Sequence, residues 1–151
     1  MNCKIILLLL GIIITQASCF HQQRSKERLY EAFFGKSIDG CVIILESRDV
    51  KAIDDEMMYI HFKACPNEIK RILLLTPYSF KPMTKWQIDL AYEDPAKIDE
   101  RLIPSLPKWW NIRKLGDSCL SFEYFHPNKD YAQIGYLSLD SSEVFYKEVA
   151  W

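Results

Sequence analysis

The sequence predicts an α+β domain in which an antiparallel sheet of about five strands carries two main helices on one face. Two observations lead to this prediction: one strand runs directly into a helix near the middle of the chain, and three strand-like runs follow one another in the last third. Consecutive strands indicate antiparallel pairing, and two helices can cover one face of such a sheet. We expect the domain to span residues 20–151, after an N-terminal signal segment of residues 1–19.

Residues 1–19 are typical of an export signal. Lys4 provides a charged start, and an apolar run over residues 5–14 follows it, interrupted only by Gly11. This run is too short to cross a bilayer, which requires roughly 20 apolar residues, and small residues suited to cleavage come after it. We therefore expect an exported protein that is periplasmic or membrane-anchored, with secretion as the alternative.

Cys19 is the candidate lipidation site. Ala17-Ser18-Cys19 resembles the end of a bacterial lipobox, in which the cysteine receives the lipid and becomes the first mature residue. Gln16 stands where a lipobox usually carries an aliphatic residue, so ordinary cleavage after Ala17 or Cys19, which would leave a soluble protein, is the alternative. We favour the lipoprotein, which would reach the membrane through its lipid anchor.

The charges exclude one class of partner. The chain has 19 Lys plus Arg and 20 Asp plus Glu, and loss of Lys4 with the signal leaves 18 against 20, a net charge of −2. No basic stripe stands out from the mixed charges, so we expect no nucleic-acid partner. A mature chain of about 130 residues suits one domain with one core.

Periodicity defines the first two elements. Residues 24–34 predict a helix, because Leu29 and Tyr30 each have an aromatic residue four positions later, and Gly35 is suited to end it. The continuous apolar run Cys41–Leu45 then predicts a central strand.

Met57–Ala64 is the predicted strand that runs directly into a helix. Apolar residues alternate with polar ones, so Phe62 is expected in the core, whereas Tyr59 and His61 lie on the opposite face. We expect Tyr59 to contribute far less to stability than Phe62. Pro66 suits the first position of the following helix, where its missing N–H costs nothing.

Residues 77–106 are predicted to form a long excursion, with a short helix suggested after Asp94. The apolar residues of this stretch keep neither period, and we expect it to pack on the domain through Tyr78, Phe80, Trp86 and Ile88. Long connections of this kind are often functional. The three strand-like runs of the antiparallel meander follow, at residues 120–125, 133–139 and 144–149.

Short motifs spread over most of the mature chain form a recognisable pattern. They are Asp54-Asp55, Tyr59–Ile69, Trp109-Trp110, Gly135-Tyr136-Leu137 with Asp140, and Val144-Phe145-Tyr146. Together they resemble small uncharacterised bacterial exported proteins and lipoproteins of α+β type. Those proteins have no established activity, so the resemblance implies the architecture and the export only.

Catalytic motifs are absent from the sequence, which has no nucleophile elbow, P-loop or dinucleotide fingerprint. No motif fixes a nucleophile or carboxylate beside His61, so we expect a surface or hydrogen-bonded histidine. The histidines and cysteines lack metal-ligand spacing, and the acidic clusters lack the pattern of a calcium loop. We predict no catalytic residue, no metal site and no cofactor.

Three cysteines, Cys41, Cys65 and Cys119, remain if Cys3 leaves with the signal and Cys19 is lipidated. The odd number allows at most one disulfide, and the spacing specifies no pair. Export would permit a disulfide, but the apolar neighbours of each cysteine favour buried free thiols, which is our expectation.

Aromatic residues are the remaining binding candidates, namely Trp109, Trp110, Tyr124 and Phe125. The two tryptophans cannot easily both point inward from one short segment, and exposed aromatics suit recognition of a protein or a glycan. The alternative, which we favour for most aromatics, is that residues 77–106 bury them in the core.

These observations predict an exported, lipid-anchored binding or structural protein of the bacterial cell envelope. Its expected partner is another envelope protein or a glycan, and we do not expect an enzyme. The alternative is a small secreted hydrolase or inhibitor-like effector with a cleft under residues 77–106. A polar pocket that gathers His61 or His126 with a carboxylate would favour the enzyme, and a flat aromatic patch would favour binding.

Overall fold

The computed structural model describes residues 24–36, 38, 40–51, 56–92, 106–140 and 142–150. The predicted signal with Cys19, the acidic pair Asp54-Asp55 and the helix suggested after Asp94 lie outside these residues. The elements are α1 (Lys26–Phe34), β1 (Val42–Lys51), β2 (Glu56–Ala64), α2 (Pro66–Leu74), β3 (Ser79–Thr84), α3 (Lys85–Ala91), a 3₁₀ helix (Ile112–Leu115), β4 (Ser118–Phe125), β5 (Tyr131–Ser138) and β6 (Glu143–Ala150). Not one of the described helices has the length and apolar character needed to cross a bilayer.

The described strands form one antiparallel sheet in the order β1-β2-β6-β5-β4-β3, which confirms the α+β class. The predicted number of about five strands is wrong, because β3 is a sixth strand inside the stretch expected to be irregular. Five of the six residues of β3 are exposed and Pro82 lies within it, so the strand shows no alternation of buried and exposed residues. Proline of this kind is confined to sheet edges, and β3 is indeed an edge strand.

One face of the sheet, here called the helix face, packs against α1 and α2. Tyr30 and Phe34 of α1 and Ile69 and Ile72 of α2 are buried in one core with Phe62 of β2. The Phe62 ring lies 5.4 Å from the Tyr30 ring and 5.5 Å from the Phe34 ring, between centroids. The predicted placement of Phe62 in the core is confirmed.

The opposite face, here called the α3 face, is also covered, by α3 and by residues 106–115. Its core includes Tyr59, Ile88, Trp110 and Phe145. The two main helices, α1 and α2, share one face as predicted, and α3 is an additional helix on the other. The minor role given to Tyr59 is wrong, because Tyr59 is buried. Alternation assigned the two faces of β2 correctly, but it could not reveal that the chain after β3 returns to cover the second one.

Cys41 and Cys65 form a disulfide, so the expectation of free thiols at these two positions is wrong. The bond joins the residue before β1 to the residue before α2, whose Cα atoms are 5.5 Å apart. Because β1 and β2 pair along their length, residues far apart in sequence meet at the open end of the hairpin. Cys119 is free and buried, as expected.

Candidate functional site

Exposed apolar side chains concentrate at the β3 edge of the sheet. Among the described residues, eight large apolar side chains are exposed, and five of them lie between residues 74 and 90. These five define the β3-edge surface: Leu74 and Leu75 at the end of α2, Phe80 on β3, and Trp86 and Leu90 on α3. They form two groups, because Leu74, Leu75 and Phe80 line one groove and Trp86 and Leu90 line another. Clustered exposed apolar side chains mark interaction sites, whereas single ones do not.

The first groove of this surface, the α2–β3 groove, lies between the end of α2 and β3. It has a volume of about 460 Å³ and is lined by Leu73, Leu74, Leu75, Thr76, Pro77, Tyr78 and Phe80. Leu74 is 75% exposed. Thr76 provides the only polar side chain of this lining apart from the Tyr78 hydroxyl, so the groove suits an apolar ligand.

A buried polar network fixes Tyr78, which forms part of the groove wall. Its hydroxyl donates to Gln133 Oε1 at 3.0 Å, and Gln133 Nε2 donates to the Tyr131 hydroxyl at 2.6 Å and to Glu148 Oε2 at 3.3 Å. Burial raises the pKa of both Tyr78 and Glu148. The Tyr78 ring also packs edge-on against Phe122, with centroids 5.1 Å apart, so the wall is held rigidly before any ligand arrives.

The second groove, the α3–β4 groove, lies on the α3 face and has a volume of about 270 Å³. Trp86 and Leu90 stand one helical turn apart on α3, and Trp86 is 66% exposed. The polar part of the lining includes Ser121, whose hydroxyl donates to Glu123 Oε1 at 3.1 Å. An aromatic side chain above hydrogen-bonding groups suits a protein or a glycan.

β3 is poorly suited to pairing with a further strand. Pro82 has no N–H, and the N–H of Thr84 donates to Gln87 Oε1 at 2.9 Å. Pro82 is paired with Leu120 and cannot donate to it, so residues 80, 82 and 84 direct their backbone groups away from β4. A strand added at this edge would find the N–H of Phe80 as its only donor among these three residues.

Positive charge flanks the α2–β3 groove. Lys70 is exposed one helical turn before Leu74. Glu68 is the only carboxylate in α2 and β3, and it is buried. Its two oxygens accept hydrogen bonds from Arg71 at 2.7 and 2.9 Å, which lower the pKa of Glu68 to about 2. No exposed carboxylate on these two elements therefore offsets Lys70.

The four predicted binding residues do not form one site. Trp110 is buried in the core of the α3 face, with its ring 5.2 Å from the Tyr59 ring, and Trp109 is half-buried beside it. Tyr124 packs against the core of the opposite face, and Phe125 is exposed at the end of β4. Successive residues on one strand point to opposite faces, which separates Tyr124 from Phe125.

His61 is hydrogen-bonded but not at the surface. Its Nε2 lies 2.7 Å from Glu143 Oε1, and its ring stacks on Phe145 at a centroid distance of 3.9 Å. Burial lowers the pKa of His61 and outweighs the neighbouring carboxylate, which acts in the opposite direction. Because only 5% of the surface of His61 is exposed, the His61–Glu143 contact is structural, and His61 is not placed to act as an acid or base on a substrate.

The sequence-based interpretation missed the β3-edge surface. Phe80 and Trp86 were expected to pack the 77–106 stretch onto the domain, and both are exposed instead. A usable signal was the spacing of Trp86 and Leu90 on one side of a short helix whose Ile88 points to the core. No family model, curated protein or solved structure matches the chain, so the geometry of this surface is the basis for a functional proposal.

Proposed function

We propose that this chain is an exported, lipid-anchored binding protein of the bacterial cell envelope. The β3-edge surface is the part that contacts another envelope component. The observation that carries the binding role is the concentration of five exposed large apolar side chains on one edge of a six-stranded sheet. Leaving them in water is unfavourable, and a partner that covers them recovers roughly 25 cal/mol per Å² of apolar area.

Export is supported by the N-terminal sequence and by the Cys41–Cys65 disulfide. Disulfides persist in oxidising compartments such as the periplasm and the cell exterior, and they are rare in the reducing cytosol. Lipidation at Cys19 would keep the domain at the membrane, because a double or triple acyl anchor is stable where a single chain is not.

The hydrolase alternative has less support from the geometry. The α3–β4 groove brings Ser121 and Glu123 together, but its lining contains no histidine that could act as the base. His61 has a carboxylate partner in Glu143, yet His61 itself is buried, with its ring stacked on Phe145. Binding therefore accounts for the exposed groups better than catalysis does.

The anchor is tested by intact-mass analysis of the mature protein recovered from cell envelopes. We expect a chain that begins at Cys19 and carries the mass of the lipid modification. A plain peptide that begins at Ser18 or Phe20 would overturn the anchor.

The binding role is tested in cells that produce the full chain with Cys19→Ser, which cannot carry a lipid. We expect part of this protein to remain with the envelope fraction. Adding Leu74→Ser and Trp86→Ser, which changes one residue in each groove, should release it. Ile43→Ser is the matched control, because Ile43 is 61% exposed on β1 at the opposite sheet edge. Equal envelope retention of all three proteins, with equal urea midpoints, would overturn the β3-edge surface as the contact.

A further inference from the structure

We propose that the α2–β3 groove binds an amphipathic helix of a second envelope protein, with an apolar face flanked by acidic residues. This inference rests on the proposed binding role and assigns its partner class. The groove is shallow and open, has a volume of about 460 Å³ and is lined mainly by apolar side chains, so it can receive one face of a helix. Its rigid wall at Tyr78 reduces the entropy that binding must overcome.

The backbone of β3 favours a helix over an extended segment. Strand addition draws its affinity from main-chain hydrogen bonds to an exposed edge. β3 can supply few of them, because Pro82 lacks an N–H and the N–H of Thr84 is already bonded to Gln87, which leaves Phe80 as the one donor among these three residues. A helix satisfies its own backbone groups internally, so it requires only side-chain contacts with Leu74, Leu75 and Phe80.

The charge around the groove favours an acidic partner. Lys70 is exposed beside Leu74, and the only carboxylate of α2 and β3 is buried under Arg71. A carboxylate on the edge of an incoming helix would lie near the Lys70 ammonium without a competing anion on these elements. Such complementarity steers association and selects against basic partners.

The position of the chain start favours a protein over the anchoring bilayer. Arg24, the first described residue, binds Glu56 of β2 at 3.1 Å, and β3 is four strand spacings away, or about 19 Å. Even a fully extended link of five residues from Cys19 to Arg24 spans at most about 17 Å. A lipid on Cys19 would therefore attach the domain to the membrane from the β1–β2 side of the sheet, which is the side opposite the groove.

The test uses purified Cys19→Ser protein and synthetic peptides of about four helical turns. The first peptide carries Leu and Phe at positions i, i+3, i+4 and i+7 with Glu on both flanks, the second replaces Glu by Lys, and the third has a central Pro. Affinity is measured by calorimetry, and the contact is located by NMR shifts of residues 73–80. We expect the acidic helix to bind at least about tenfold more tightly than the other two.

Variants locate the effect on the groove. Leu74→Ser/Leu75→Ser should abolish binding and Lys70→Glu should weaken binding of the acidic peptide about tenfold. Ile43→Ser, on β1 at the opposite sheet edge, should leave its affinity unchanged. The proposal is overturned by no binding of the acidic peptide, by equal binding of the Lys or Pro peptide, or by indifference to Leu74→Ser/Leu75→Ser.

Vesicles of phosphatidylethanolamine with phosphatidylglycerol form a separate arm. Binding to them through Leu74 and Leu75 would assign the groove to a lipid surface and overturn the helix. If only the helix proposal fails, intact-mass analysis should still show the lipid on Cys19, and the Cys19→Ser protein should still remain partly with the envelope fraction. Failure of the helix proposal is therefore distinguishable from failure of the proposed function.

Discussion

Gly135 is the residue at which the smallest substitution should have a large effect. It lies on β5 directly opposite Phe122 on β4, with Tyr146 on its other side. A Cβ added at Gly135 would overlap the Cζ, Cε1 and Cε2 atoms at the far end of the Phe122 ring. That ring cannot move freely, because Phe122 is buried and its ring packs against Tyr78 and Tyr146.

We expect Gly135→Ala to lower the free energy of unfolding by about 2 kcal/mol. Overpacking of a core by one carbon costs roughly 1 to 3 kcal/mol, and the loss of chain entropy in the unfolded state offsets only about 0.4 to 1 kcal/mol of it. With a urea m-value of about 2 kcal/mol/M, the midpoint should fall by about 1 M. Displacement of Tyr78 should also deform the α2–β3 groove.

Gly40→Ala is the matched control, since a Cβ there meets nothing within 4 Å and the backbone has no positive φ. It should be neutral or slightly stabilising. A double-mutant cycle with Phe122→Leu should show that the cost of Gly135→Ala falls below about 1 kcal/mol once the ring is gone. Equal midpoints for the two glycine variants, or strict additivity in the cycle, would refute the steric explanation.

Three further predictions concern the cores, the disulfide and the pH dependence. Phe62→Ala and Tyr59→Ala should each destabilise the domain by about 3 to 5 kcal/mol in urea melts, because both rings are buried; a cost below about 1 kcal/mol for Tyr59→Ala would contradict this. Replacing both Cys41 and Cys65 by Ala should lower the free energy of unfolding by about 3 to 4 kcal/mol, because the disulfide closes a loop with a sequence separation of 24. A reductant should lower the stability of the parent protein by the same amount and leave the variant unchanged. The pKa of Glu68 is held at about 2 in the fold, below its usual value of about 4.3. The ionised Glu68 therefore contributes its full stabilisation above pH ~4.3, and this stabilisation is lost as the pH falls toward 2. Glu68→Gln should make the urea midpoint less dependent on pH over that window, and parallel plots of midpoint against pH for the two proteins would argue against this role.

Local patterns were sufficient to predict the elements that are periodic. The strand that contains Phe62, the helix that begins at Pro66 and the C-terminal strands follow from alternation and from end signals, and each lies within a few residues of its predicted bounds. β3 could not be found in this way, because an exposed edge strand with Pro82 has no buried alternation to detect. The disulfide was equally hidden, since the meeting of Cys41 with Cys65 depends on the register of β1 on β2.

The candidate site was less predictable than the fold. Aromatic content indicated a recognition surface, but composition could not separate Trp110, which is buried in the core, from Trp86, which stands exposed on α3. Exposure of a single apolar side chain depends on how distant segments cover it, and that is a property of the tertiary packing rather than of local sequence. His61 illustrates the same limit, because Glu143, its partner, lies 82 positions away.

The Cys41–Cys65 bond turns the β1–β2 hairpin into a covalent ring. β1 is the other edge of the sheet and pairs with β2 alone. Edge strands of this kind are the elements that two molecules exchange when they form domain-swapped dimers. With both ends of the hairpin tied together, β1 cannot leave its own molecule and pair with a neighbour unless β2 goes with it or the bond is reduced. The disulfide therefore limits exchange of β1 between neighbouring copies at high protein concentration, in addition to stabilising each copy.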